Sequence, residues 1–285
     1  MKIVKSVAEM KNLSLTYHKC GQTIGFVPTM GALHEGHVSL LKIARQNSDI
    51  TLMSIFVNPT QFGPQEDFEK YPRVFEQDCA KALDAGCDVL FAPTVSQMYP
   101  DGFSTYVSVE GITSKLCGIS RPNHFRGVTT VLLKFFNIVE PQIAVFGQKD
   151  AQQVLVIKRM VRDLNCPIKI LTGPIIREPD GFAISSRNKY LTEKERSEVP
   201  QIFEGLKKIM EVYENGEKKA GVLKEILLNK YHSLKHIKME YADIVDFENL
   251  KPLEILNTPS LVAVACRTTE SKTRLIDNIV LGGVL

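Results

Sequence analysis

Two imidazoles three residues apart, His34 and His37, close the string Pro28-Thr29-Met30-Gly31-Ala32-Leu33-His34-Glu35-Gly36-His37. The string lies between an apolar, β-rich run from Ile24 to Val27 and a stretch of helical period from His37 to Gln46. Gly31 and Gly36 permit close backbone approach, and a helix starting near His37 is expected to offer free N–H groups and a positive dipole end. This is a phosphate-binding geometry, in which both rings donate to one transferring phosphoryl group as negative charge builds on it. A zinc site of the H-E-x-x-H type needs histidines four apart on a continuous helix, whereas here a glycine interrupts a three-residue spacing.

Four further strings carry polar groups after apolar runs. Asn58-Pro59-Thr60-Gln61 follows the run Thr51 to Val57, with Glu66-Asp67-Phe68 and Tyr71-Pro72-Arg73 behind it. The uncharged donor and acceptor of Gln61 suit a substrate bearing a hydroxyl and a carboxylate. Arg121-Pro122-Asn123-His124-Phe125-Arg126-Gly127 opens a helical stretch to Val139, where arginine opposes the helix dipole and therefore answers some anionic requirement. Gly147-Gln148-Lys149-Asp150 follows the run Ile143 to Phe146; Lys149 is a mobile charge for a polyphosphate, Asp150 can cap the next helix, and Gln153 lies one turn on. Last comes Ile176-Arg177-Glu178-Pro179-Asp180-Gly181-Phe182-Ala183-Ile184-Ser185-Ser186-Arg187, two hydroxyls and a guanidinium beside a permissive glycine, suited to closing over phosphates.

The elements that must position these groups follow from period. Short apolar runs, including Asp88 to Ala92 and Ile168 to Thr172, alternate with helical stretches at His37 to Gln46, Val74 to Ala85, Gly127 to Val139 and Asp150 to Leu164. That order predicts an α/β, doubly wound parallel sheet, with ligands at the carboxyl ends of its strands. The alternation stops in the Gly- and Pro-punctuated stretch after Thr172. We therefore expect a Rossmann-like domain over 1–177 and a smaller α+β domain over 178–285 that covers the active site. The latter reads as one long helix from Thr192 to Tyr213, a second from Ala220 to Leu234, and strands at Tyr241 to Val245, Leu261 to Cys266 and Leu275 to Leu281.

Composition narrows the function classes. The chain has 285 residues, 44% hydrophobic and 24% charged, with 35 basic and 32 acidic side chains scattered rather than gathered into a stripe, so nucleic acid is not an expected partner. Residues 1–13 hold no long apolar run, and no stretch approaches about eighteen uninterrupted apolar residues, so a cytoplasmic protein without membrane association is expected. The six cysteines form no C-x-x-C pair, which disfavours structural zinc and a disulfide framework.

The H-x-G-H string after the first sheet strand is similar to that of nucleotidylyl transferases and class I aminoacyl-tRNA synthetases, and the fuller Pro28 to His37 string resembles the pantothenate synthetase family over essentially the whole chain. That resemblance implies an AMP-forming ligase that makes a pantoyl adenylate from pantoate and ATP, then transfers the acyl group to β-alanine. It implies that Pro28 to His37, Gly147 to Asp150, Ile176 and Ile184 to Arg187 contact ATP, with His34, His37, Lys149 and Arg187 catalytic. It places Gln61 on pantoate and β-alanine and Gln153 on pantoate, with Asn58, Tyr71 and Arg121 nearby, and implies a homodimer. Mg²⁺ would be carried mainly by the ATP phosphates, with its protein ligands unknown. The segment at Ser185-Ser186-Arg187 resembles the Lys-Met-Ser-Lys-Ser loop of the related synthetases. The family's Leu-Glu-Gly reads Leu116-Cys117-Gly118 here, and its usual glutamate is Gln148. A transferase acting on a phosphorylated substrate would need basic residues where Gln61 and Gln153 stand, a tRNA synthetase would need a basic surface, and a non-catalytic binding protein would not need the intact histidine pair.

Overall fold

The computed structural model describes residues 1–64 and 66–285, which fall into two compact units: 1–114, 118–147 and 156–173 in the first, and 115–117, 148–155 and 174–285 in the second. The first runs β1 (Lys2–Val4), α1 (Val7–Lys19), β2 (Ile24–Thr29), α2 (Glu35–Asn47), β3 (Ile50–Ile55), α3 (Phe75–Asp84), β4 (Val89–Phe91), α4 (Val95–Met98), α5 (Cys117–Ser120), α6 (His124–Val139), β5 (Ile143–Gly147), α7 (Ala151–Asp163) and β6 (Lys169–Gly173). By residue, α5 and α7 are each divided between the units.

Six strands form one parallel sheet in the order β1-β4-β3-β2-β5-β6, the doubly wound arrangement expected from the alternation of runs. Alternate residues of β2 serve the two helical layers. Val27 joins Leu40, Leu41 and Ala44 of α2 in one buried cluster. Phe26 meets Phe135 of α6 edge-on at 5.6 Å, and Phe135 also contacts Phe56 and Phe91. The edge pair β1 and α1 has no counterpart in the sequence reading. β1 is three residues long, and α1 buries only Met10 and Ser14, too little apolar surface to set a period.

Strand order reverses between β2 and β5. β2 pairs with β3 along its whole length, from Ile24 with Ile50 to Thr29 with Ile55, but with β5 only at Gly25 with Ile143 and Phe26 with Ala144. Pro28 brings no N–H to the ladder. The two strands therefore part at their carboxyl ends, where such sheets bind ligands.

The second unit contains α8 (Glu193–Glu198), α9 (Pro200–Glu214) and α10 (Ala220–His232), followed by an antiparallel sheet of β7 (Ile237–Asp246), β8 (Ser260–Thr268) and β9 (Arg274–Leu281) in that order. The single helix expected from Thr192 to Tyr213 is two helices. Pro200 has no N–H to continue α8, and at the first position of α9 it lacks only a bond that helix would not make. Leu206, Ile209, Leu223 and Leu227 of the two long helices share a core with Val262 and Val264 of β8. No described helix is long and apolar enough to cross a membrane.

Candidate active site

The H-x-G-H turn leaves β2 at the parting of the strands, and its backbone is fixed from below. Gly31 has φ +82° and Ala32 φ +51°, a left-handed pair that few residue combinations adopt. Three donors are satisfied in order: Gly31 N–H by Thr29 Oγ1 at 3.1 Å, Ala32 N–H by Asp78 Oδ2 at 2.9 Å, and Leu33 N–H by Asp78 Oδ1 at 2.7 Å. Asp78 is 2% exposed on α3, and one turn on Lys81 Nζ donates to Leu33 O at 2.7 Å. A Cβ at Gly31 would come to 2.9 Å from Asp78 Oδ2, so the glycine is required by that approach as well as by its φ.

The helix itself starts at Glu35, two residues before the expected place, because His34 caps it. His34 Nδ1 accepts from Gly36 N–H at 3.2 Å, and His34 N–H donates to His37 Nδ1 at 3.3 Å, a reciprocal capping box built from two imidazoles. The expectation of free N–H groups near His37 is therefore corrected, since His37 N–H and Val38 N–H also donate to His34 O. What the turn presents instead is ring chemistry. With Nδ1 accepting on both rings, the neutral imidazoles carry their proton on Nε2. The ring centroids lie 4.1 Å apart. A Cβ at Gly36 would come to 2.9 Å from the His34 ring, so this glycine makes room for the pair.

After β3, a 3-10 turn at Pro59–Gln61 forms the second polar shelf. Asn58 is 1% exposed and fully engaged. Its Nδ2 donates to Gln61 Oε1 at 3.1 Å and to Gly127 O at 3.1 Å, and its Oδ1 accepts from Thr60 Oγ1 at 2.9 Å and Tyr99 OH at 2.7 Å. Burial pushes the Tyr99 hydroxyl up to about 12. Asn58 thus orients Gln61 from beneath, and Gln61 Nε2 lies 3.0 Å from Met30 Sδ, on the turn after β2. α6 approaches closely here: a Cβ at Gly127 would stand 2.6 Å from Gln61 N.

The anionic requirement at Arg121 is met within the chain. Its Nε and Nη2 donate to the two oxygens of Glu66, each at 2.6 Å, and Nη2 also reaches Gln61 O at 3.3 Å. Burial raises the Glu66 carboxyl, but the Arg121 bonds and charge outweigh it and hold the group below the usual carboxylate range. Tyr71 is buried, its ring 6.0 Å from that of Phe62. In the same unit, a cleft of about 270 Å³ lined by Met30, Ile55, Phe56, Val57 and Asp78 does not include His34, His37 or Gln61.

The second unit holds the remaining strings. Gln148–Asp150 is a 3-10 turn, Lys149 Nζ lies 4.0 Å from Asp150 Oδ2, and Gln153 is half-buried on α7. Ile176 O accepts from Ile184 N–H at 3.0 Å, and Arg177 bridges to Ala183, so the segment from 176 to 184 is a tight hairpin. Arg177 forms a bidentate pair with Asp277 at 2.6 and 2.9 Å. Burial pushes the Asp277 carboxyl up, against the pull of that guanidinium. Ser185 Oγ accepts from Arg187 N–H at 3.3 Å as the cap of a 3-10 turn over Ser186–Tyr190.

Asp78, Tyr99, Asp277 and Asn278 were not singled out from the sequence. A signal exists for three of these positions. Asp78 shares the buried face of α3 with Ala82, and the pair Asp277-Asn278 interrupts an otherwise apolar strand. Among the described residues, no group of three or more His, Cys, Asp or Glu side chains could hold a metal ion.

The pattern of the family described as pantoate-beta-alanine ligase matches residues 2–280. The chain is 50% identical over 281 residues to the pantothenate synthetase of Acetivibrio thermocellus, covering 99% of each. The crystal structure of pantothenate synthetase from Thermus thermophilus matches with a TM-score of 0.92 and 41% identity, over 98% of this chain and 99% of that one. The pantoate-beta-alanine ligase of Francisella tularensis, complexed with beta-gamma ATP and beta-alanine, matches with a TM-score of 0.78 and 35% identity, over 98% and 97%.

Proposed function

This chain belongs to the pantoate-beta-alanine ligase family, and on that premise we propose that it joins pantoate to β-alanine through a pantoyl adenylate. In the first step a pantoate carboxylate oxygen bonds to the α-phosphorus of ATP, the bond to the bridging β-oxygen breaks, and pyrophosphate leaves. In the second, the β-alanine amine attacks the acyl carbon, the bond to the phosphate oxygen breaks, AMP leaves, and the amine gives up a proton. The carboxylate is already anionic at neutral pH, so the first step needs alignment and charge stabilisation rather than a base.

The observation that carries this reading is the imidazole pair at the carboxyl end of β2, both rings turned by their Nδ1 bonds into Nε2–H donors. His34 and His37 stabilise charge on the α-phosphate. Lys149 and Arg187 neutralise charge on the departing pyrophosphate, and Ser185 and Ser186 donate hydrogen bonds to it. Gln61 and Gln153 hold pantoate. Asn58 holds Gln61, while Arg121 reaches the Gln61 carbonyl and ties the turn to Glu66. A divalent ion, Mg²⁺ in this proposal, neutralises phosphate charge when bound. In this proposal the ATP phosphates would carry most of its ligation, with several waters retained. The same family resemblance supports a cytoplasmic homodimer, and equilibrium sedimentation tests the dimer.

The deciding experiment is pyrophosphate release from ATP with pantoate present or omitted, together with separation of the nucleotide products. Release that needs pantoate, with AMP accumulating once β-alanine is added, is expected. ADP forming in step with pantothenate would overturn the adenylate route.

A further inference from the structure

The ATP-binding strings of the second unit are anchored from the middle of β9, a strand to which no motif points. Asp277 and Asn278 are consecutive and buried, 4% and 2% exposed. Successive side chains of a strand leave opposite faces of the sheet, so the two reach different strings. Asn278 Nδ2 donates to Gln148 O at 2.9 Å and Lys149 O at 3.0 Å, and its Oδ1 accepts from Gln148 Nε2 at 3.2 Å. Both amide hydrogens and the amide oxygen are thereby engaged on one turn. Two successive carbonyls drawn toward one side chain fix two peptide planes, and with them the direction in which Lys149 departs. Asp277 binds both Nη atoms of Arg177, which also donates to Gly181 O at 3.0 Å and lies 3.6 Å over the Phe203 ring. Asn278 N–H closes on Asp277 Oδ1 at 2.7 Å.

We propose that Asp277 and Asn278 are the positioning residues of ATP binding in this unit. Asn278 sets the turn that carries Lys149, and Asp277, through Arg177, sets the hairpin that leads into Ser185-Ser186-Arg187. The proposal rests on the reading that these strings bind ATP. Neither residue touches the nucleotide; each acts through the backbone or side chain that it holds.

The test is Asn278→Asp in the full-length enzyme, with Asn278→Ser as a milder companion should the first fold poorly. Asn278→Asp keeps the side-chain volume, removes both N–H donors and turns a carboxylate toward two carbonyls. Affinity for a non-hydrolysable ATP analogue, measured by calorimetry at about pH 8, is expected to weaken by about 10-fold to 100-fold, and by about 10-fold for the serine variant, which retains one donor. Protonation restores one donor to the aspartic acid, so analogue affinity of Asn278→Asp relative to wild type recovers as pH falls toward about 6. A role in folding alone would lower the melting temperature, leave analogue affinity per folded molecule unchanged and produce no such recovery; that result overturns the proposal. Wild-type protein that does not bind the analogue would overturn the ATP reading and this proposal with it, whereas wild-type binding with unaltered variants overturns the proposal alone.

Discussion

The two segments that the proposed function places on the ATP phosphates differ in the bonds that shape them. The turn from Gly31 to Leu33 is tied by side chains far away in sequence, Asp78 and Lys81 of α3, and continues into a helix whose first turn is closed by its own histidines. The segment from Ser185 to Leu191 is built of local turns: Arg187 N–H to Ser185 Oγ, Asn188 N–H to Ser185 O, and Leu191 N–H to Asn188 O. Long-range side-chain anchors fix a group in the frame of the sheet, whereas local turns set the shape of the segment that makes them. In the proposed function the first segment aligns the α-phosphate, and the second neutralises the departing phosphates when ligand binds.

The largest effect that sharpens this contrast is expected at the histidines. His37→Ala and His34→Ala should each lower kcat by about 100-fold to 1,000-fold, with a smaller rise in the KM for ATP, because a donor used mainly in the transition state acts on the chemical step. Steady-state kinetics on both variants decide it. A change confined to the KM for ATP would reduce the pair to ground-state binding. A smaller effect follows for the anchor beneath them. Asp78→Asn places an amide where two backbone N–H groups now meet carboxylate oxygens, losing one bond and opposing another donor. We expect kcat about 10-fold to 100-fold lower, as a misplaced turn misaligns His34, and stability reduced by about 1–3 kcal/mol. Unaltered turnover with reduced stability would show that the turn keeps its shape without the anchor.

How much of this was legible in the sequence follows the same division. Motif residues and the strands before them could be read because a β-rich run ending in a glycine turn has its own local signature, as at Val27 to Gly31 and Val145 to Gly147. Several of the residues that hold the motifs act across 45 or more positions: Leu33 with Asp78, Gln61 with Arg121, Lys149 with Asn278. Such pairings depend on which elements the fold makes neighbours, and a single chain's spacing does not contain that. Arg121 shows the consequence, since no local spacing pairs it with Glu66, the carboxylate that its guanidinium binds.

For the second segment the comparison yields a test of motion. Amide exchange across residues 176–190 is expected to slow by about 10-fold or more when a non-hydrolysable ATP analogue binds, while the amides of Ala32 and Leu33, already held by Asp78, change little. Equal protection of 176–190 in both states would refute ligand-linked ordering and leave Arg187 a static phosphate contact. Slowing at Ala32 and Leu33 of the same size would remove the contrast between the two segments.

The smallest expected effect lies where the turn carrying Lys149 departs from the usual family residue. Gln148→Glu keeps the side-chain length but loses the Nε2–H that now reaches Asn278 Oδ1 at 3.2 Å. The two bonds from Asn278 Nδ2 to the carbonyls of Gln148 and Lys149 do not involve that side chain and survive the change. One neutral hydrogen bond amounts to about 1 kcal/mol, roughly fivefold, so kcat/KM for ATP should stay within about tenfold of wild type if the nucleotide is met there by main-chain groups. The carboxylate also stands next to an amide oxygen with which it cannot bond, which favours a modest loss over a gain. Kinetics at several Mg²⁺ concentrations separate the outcomes. A gain larger than tenfold would mean that negative charge at this position assists the reaction, as the family's usual glutamate suggests. A larger loss that extra Mg²⁺ reverses would mean that the variant binds the ion away from the phosphates, and one that Mg²⁺ leaves untouched would mean that Gln148 holds the turn as firmly as Asn278 does.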